Sequence, residues 1–171
     1  MSFDDSAIQE FQRRFGVFKT KLPVVLGTEA NNFFRGNYRL QGWRGDNGLE
    51  KWKPRKPGAS REKGRAILVD TGRLLRSIKS YPKASRVVIS SNRPYAAIHN
   101  SGGAINAVQQ VRAHKRRRRS ARGRRGKTHV VAAHQRKVSI KMPRRQFMGN
   151  SAALERILRR QTSILFKRYV L

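Results

Sequence analysis

Apolar residues recur at three- and four-residue steps from the start of the chain: Ala7, Ile8, Phe11, Phe15 and Phe18, with Gln9, Arg13 and Arg14 between them. That period marks one face of an amphipathic helix over residues 4–19, with Asp4 or Asp5 to cap it and Gly16 weakening its far end. Pro23 suits a first turn, so the pattern predicts a second helix over residues 22–34. Its buried face would hold Val25, Leu26, Ala30, Phe33 and Phe34, and Gly36 would end it.

Over residues 36–64 large apolar groups thin out to Trp43, Leu49 and Trp52 among Gly, Pro, Asn and Lys, which predicts a long surface loop pinned by two indoles. Strand composition follows at 74–81 and 86–90, separated by Pro82-Lys83-Ala84-Ser85, the pattern of an antiparallel hairpin. Tyr95-Ala96-Ala97-Ile98-His99-Asn100 predicts a short helical turn, and the pair Gly102-Gly103 permits the backbone to turn after it.

A short repeat comes next: Val111-Arg112-Ala113-His114-Lys115-Arg116 recurs as Val131-Ala132-Ala133-His134-Gln135-Arg136. Two strands joined by a basic tip, an arm over 111–136, is the simplest arrangement of it. Val138 to Met142 alternates apolar with polar and stops at Pro143, as a last strand does. Asn150 or Ser151 then caps a final helix whose buried stripe is Ala153, Leu154, Ile157, Leu158, Ile164 and Leu165. The order implies one α+β domain over 1–171, with N-terminal helices, an antiparallel β-sheet carrying the extended basic hairpin, and a C-terminal helix.

Charge changes this picture most. Forty Lys and Arg against nine Asp and Glu give a net charge of +31, and no acidic residue lies between Asp70 and Glu155. The self-repulsion of such a chain calls for a polyanionic partner, with nucleic acid the commonest. The candidate contacts are Arg112, Lys115, Arg116, Arg117, Arg118, Arg119, Arg122, Arg124, Arg125, Lys127, Arg136 and Lys137. Arg forks pair with phosphate oxygens bidentately and read no base, so either sequence-independent DNA contact or docking on acidic neighbouring subunits fits them. With no apolar residue beyond Ala121, the run 115–127 is expected to order only on a partner.

Other chemistry has little support. The absence of cysteine removes disulfides, thiolate catalysis and Cys-ligated zinc, and suits assembly in a reducing cytoplasm. His114, His129 and His134 lie among cations with no carboxylate near, so no metal or other cofactor is expected, and a nuclease lacks a local carboxylate cluster to hold Mg²⁺. The N-terminus shows no signal-peptide pattern and no stretch approaches a membrane span, so the chain reads as soluble, with no membrane partner. Thr71-Gly72 has no P-loop spacing and reads as a tight turn before a strand. His99 reads as a hydrogen-bonded, partly buried imidazole, and Trp43, Trp52 and Tyr95 suit either a subunit interface or the domain's own core.

Four segments then stand in a recognisable order and spacing: Trp52; Ile67 through Asp70-Thr71-Gly72-Arg73-Leu74 to Ile78; Tyr95-Ala96-Ala97-Ile98-His99 with Gly102-Gly103; and Met142-Pro143-Arg144-Arg145-Gln146-Phe147-Met148-Gly149. Together they resemble the phage virion morphogenesis proteins, which include the tail-completion proteins of Mu-like and related tailed phages. The resemblance implies a non-enzymatic virion component at the head-proximal end of the tail, assembled in the host cytoplasm as a ring, with a hexamer favoured. It also implies neighbouring neck and tail proteins as partners, with packaged DNA close by. The rival reading, a basic nucleic-acid-binding module such as a ribosome-associated protein, requires none of the four segments.

Overall fold

The structure, a computed structural model, describes residues 5–55, 66–119 and 125–171, and at 118, 119 and 125–127 it describes the backbone alone. Chain contacts divide it into two compact units, one formed by 1–101 with 143–171 and the other by 102–142. The fold is α+β, as the periodicity implies.

The first unit is organised on α1 (Asp5–Leu40), a single 36-residue helix. The sequence pattern predicts two helices here, with Pro23 opening the second and Gly36 closing it; both residues instead lie inside α1. A mid-helix proline deletes one amide donor at a cost of about 3 kcal/mol. Packing on either side of Pro23 offsets that cost. Phe18, Leu22 and Val25 meet Leu165 and Tyr169 of α4 (Ala152–Tyr169) and its C-cap Val170, while Ala30, Phe33, Phe34 and Tyr38 enter the main core. Gly36 serves a close approach: a Cβ there would lie 2.7 Å from Nη2 of Arg44, whose guanidinium stacks over the Phe33 ring at 3.9 Å and donates to the Phe33 carbonyl at 2.6 Å.

The expected loop after residue 36 begins with the last turn of α1 and continues as a hairpin of β1 (Gly42–Gly45) and β2 (Gly48–Lys51). Sparse apolar residues hid it, yet Trp43 and Trp52 are both buried, so the core alternative holds for the two indoles, while Tyr95 is left partly exposed. Residues 56–64 of that predicted loop lie outside the described residues.

Leu74, expected to open a strand, instead lies in a short helix, α2 (Arg73–Ser77). Gly72, in the left-handed region at φ 69°, starts that turn, and Ser77 Oγ closes it by donating to the Leu74 carbonyl at 2.7 Å. Leu74 and Ile78 are both buried, a four-residue step that suits a helical turn. The hairpin itself is present, as β3 (Ile78–Pro82) paired with β4 (Val87–Ser91). After it comes α3 (Ala96–Ser101), the helical turn that Tyr95 to Asn100 foretold.

In α4, the expected cap is Ser151, whose Oγ accepts the Leu154 amide at 3.0 Å. Its contacts with α1 pair Leu165 with Phe18 at one end and Leu154 with Phe33 and Phe34 at the other, so the two helices run antiparallel. Ile164, expected in the buried stripe, is exposed.

The second unit holds β5 (Gly103–Val111), β6 (His114–Arg119), β7 (Arg125–Val131) and β8 (His134–Met142). Among the described residues the strands form four separate two-stranded ladders, where one sheet was expected. Each pair is a hairpin or one nested inside another, so every ladder closes locally and, among the described residues, no strand pairs with a second neighbour.

Tyr38 supplies a stability test. Its ring is buried, with burial pushing the phenol well above its ordinary pKa, and its hydroxyl finds no hydrogen-bond partner among the described residues. Desolvating a hydroxyl whose hydrogen bond is not remade costs free energy. Tyr38→Phe should therefore raise the unfolding free energy by up to about 1 kcal/mol in urea titration; a clear drop in stability would show that the hydroxyl is satisfied.

Candidate functional site

The basic residues gather on one long two-stranded ribbon. β5 pairs with β8 from Gly103 opposite Met142 to Val111 opposite His134, and β6 pairs with β7 from His114 opposite Val131 outward. Two residues on each strand, Arg112-Ala113 and Ala132-Ala133, interrupt the ladder, and the register resumes unchanged beyond them.

The internal repeat explains this break. Each copy supplies Val-x-Ala-His, and antiparallel pairing sets the Val of one copy opposite the His of the other. His114 Nδ1 lies 3.0 Å from the Arg112 carbonyl and His134 Nδ1 lies 3.0 Å from the Ala132 carbonyl. A carbonyl only accepts, so each imidazole carries a proton on Nδ1 and ties down a carbonyl that the interrupted ladder leaves without a strand partner. The two histidines are thus local structural clips. Among the described residues, no group of three or more His, Asp or Glu is arranged to hold a metal.

Of the run 115–127, expected to order only on a partner, residues 115–119 and 125–127 lie in the strands His114–Arg119 and Arg125–Val131, while 120–124 lie outside the described residues. Cross-strand pairing supplies the backbone hydrogen bonds that composition alone does not suggest. Lys115 lies opposite Val130 and Arg117 opposite Thr128 on one face, and Arg116 opposite His129 on the other, so cations stand on both faces. The register shifts between Arg117 and Arg119: Arg118 alone on β6 faces both Gly126 and Lys127, so the extra residue lies on β7. Arg112, Lys115, Arg116, Arg117, Arg136 and Lys137 are exposed. Arg118, Arg119, Arg125 and Lys127 lie on the strands, while Arg122 and Arg124 lie outside the described residues. Arg136 is laid across the ribbon by bonds of 2.9 and 2.6 Å to Gln109 Oε1.

Residues 103–142 contain thirteen Lys and Arg and no carboxylate, so nothing within the ribbon's own sequence can neutralise them. A two-stranded ribbon is marginal in water, and like charges along it oppose its pairing. An anion spanning both strands would relieve that repulsion, whereas exposed cations along open edges discourage pairing with another such ribbon.

The other predicted motif residues, apart from Gly102 and Gly103, lie in the first unit, where their contacts are structural. Trp52 Nε1 donates to the Gln146 carbonyl at 2.8 Å, and Arg145 donates through Nε and Nη2 to the carbonyls of Lys53 and Pro54 at 3.0 and 3.3 Å. The Arg145 amide donates to the His99 carbonyl at 2.9 Å, and Phe147 fills the core against Tyr38. Pro143 ends the ladder of β8 and starts this strapped segment. Thr71 contributes its carbonyl to Arg76 Nη2 at 2.6 Å, and Gly72 precedes α2 rather than a strand. Gly102 and Gly103 both have positive φ where the second unit begins. His99 differs from expectation: it stacks edge-on with Tyr95, but its Nδ1 is buried without a hydrogen-bond partner among the described residues.

Sequence reading missed Asn37 and Asn100. Asn37 is fully buried in α1 and gives Nδ2 to the Phe147 carbonyl at 3.3 Å while taking Arg44 Nε on Oδ1 at 3.2 Å. Asn100 Oδ1 accepts the amides of Phe147 and Met148 at 2.9 and 3.0 Å, and its Nδ2 donates to the Met148 carbonyl at 3.1 Å. An Asn at helical spacing from Phe33 and Phe34 was the available signal, because its propensity disfavours a helix interior.

Residues 41–163, well over half of the chain, match the Phage virion morphogenesis family. No curated protein and no solved structure matches the chain significantly.

Two outcomes are expected. Burial, reinforced by Arg145, holds the His99 pKa below its ordinary 6.5, so the unfolded chain takes up that proton first. His99 therefore contributes stability that is complete above pH 6.5 and declines as the pH falls toward its folded value; urea midpoints on either side of pH 6.5 should show this, and His99→Gln should remove that part. For the ribbon, changing Arg116, Arg117, Arg118 and Arg119 to Ser should leave the circular dichroism signature of folding intact. It should also flatten the log–log dependence of DNA affinity on salt by about 0.9 for each phosphate that is no longer neutralised; an unchanged slope would remove these residues from any phosphate interface.

Proposed function

The chain belongs to the phage virion morphogenesis family, and from that membership we propose that it completes the tail or joins it to the head, as a homo-oligomeric ring around the DNA path. The observation that carries this reading is that the ribbon of residues 103–142, with its unneutralised cations, lies inside the family-matched segment 41–163. The basic surface is therefore part of the family domain and not an appended tail.

The work done is binding and geometry rather than catalysis. Copies arranged round a channel would sum their positive fields, drawing in DNA and requiring acidic neighbours above or below to hold the ring together. Contacts to phosphate would be independent of base sequence, which suits a component that the whole genome must pass. Neighbouring neck and tail proteins and packaged DNA are the partners this role calls for, and the assembled virion is its location. Among the described residues no helix is long and apolar enough to cross a membrane.

Cryo-electron microscopy of purified particles tests the reading. The chain is expected at the head-proximal end of the tail, and particles assembled without it should accumulate as filled heads and unjoined tails. Normal, infectious particles lacking the chain would overturn the role.

A further inference from the structure

Two apolar surfaces are left exposed among the described residues. On α1, Ile8 and Phe11 are 43% and 52% exposed, and Phe11 stacks on Phe15 at 5.9 Å. They continue the stripe by which Phe18, Leu22 and Val25 meet α4, but α4 itself stops at Tyr169, and Leu171 just beyond it lies beside Arg14, whose Nη1 donates to the Leu171 carbonyl at 3.5 Å. The first turns of α1 therefore run on with no facing helix among the described residues. On the ribbon, Ile105 lies opposite Ile140 and Ala107 opposite Val138, so these four share one face, on which Ile105 and Ile140 are 39% and 46% exposed.

We propose that the first turns of α1 in one copy pack on this ribbon face of a second copy. A helix laid on a two-stranded sheet is an ordinary way to bury the apolar face of each, and a ribbon this narrow needs such a second layer to be stable.

Charge selects this pairing among the contacts that two copies could make. Residues 1–12 carry Asp4, Asp5 and Glu10 and no Lys or Arg, in a chain of net charge +31; Glu10 is paired with Arg13 and Arg14 at 2.8 and 3.7 Å, so Asp4 and Asp5 set the sign at the helix start. The ribbon carries thirteen cations and no carboxylate. Ribbon against ribbon would oppose cations, and helix start against helix start would oppose carboxylates. Helix start on ribbon is the complementary arrangement. It joins different surfaces on the two copies, so it repeats from copy to copy and closes into a ring where the rotation allows. The inference rests on the ring proposed above and names the contact that would build it.

Sedimentation velocity on the full chain, with Phe11→Arg and Ile140→Asp, decides the matter. Both positions are exposed, so circular dichroism should show each variant folded. The unmodified chain should associate as its concentration rises, and each variant alone should associate about ten-fold more weakly or less, the expected effect of spoiling an anchor residue. Mixed in equal amounts, the two variants should form a pair and stop there. The intact helix of the Ile140→Asp copy meets the intact ribbon of the Phe11→Arg copy, and the second contact is spoiled on both sides. A mixture that stays monomeric, a variant that associates like the parent, or a parent that is monomeric at every concentration overturns the contact. The position of the chain in the virion is read separately, so failure here and failure of the proposed role are distinguishable.

Discussion

Asn100 presents one carboxamide oxygen to two successive amides, those of Phe147 and Met148, and returns its own amide to the Met148 carbonyl. From the other side Asn37 donates to the Phe147 carbonyl, and Trp52 donates to that of Gln146. Residues 145–148 lie in neither helix nor strand; the Arg145 amide meets the His99 carbonyl, and these side chains take up the buried backbone groups that follow it. The strap lets Phe147 enter the core beside Tyr38 and delivers the chain to the Ser151 cap of α4. The first unit thus consists of two sequence segments that are stitched together at this point, and its helical pair and its core both depend on that closure.

The ribbon obeys a different constraint. Its apolar pairs lie in β5 and β8, and its cations concentrate beyond the break at Arg112-Ala113 and Ala132-Ala133. Backbone pairing can shape such a segment, but it cannot remove the repulsion of thirteen cations in 103–142. The same charge that strains the ribbon discourages its open edges from pairing with another such ribbon.

Function and fold therefore divide between the units. The motif residues Trp52, His99, Arg145 and Phe147, which carry the family likeness, hold the first unit together, while the residues that would meet a partner lie on a ribbon whose composition any basic protein could share. A family signal made of structural residues identifies the scaffold. What the scaffold presents is decided by charge.

Much of this was legible in the linear pattern: the amphipathic start and end, the β3–β4 hairpin, the capping Ser151, the α+β class and the basic arm all follow from local periodicity and composition, which depend on neighbours a few residues apart. Tertiary structure decided the rest. Pro23 and Gly36 are helix-ending residues locally, yet α4 and the core pack either side of Pro23, and Arg44 crosses at Gly36, so one helix persists. The β1–β2 hairpin exists because Trp43 and Trp52 are buried against residues distant in sequence, and the roles of Asn37 and Asn100 depend on partners 110 and 47 residues away. The repeat at Val111 and Val131 was visible, but only antiparallel pairing sets each Val opposite the other copy's His. Sequence reports which faces are apolar and where charge lies; which of those faces meet is settled by long-range packing, and for Ile8 and Phe11 the single chain leaves it open.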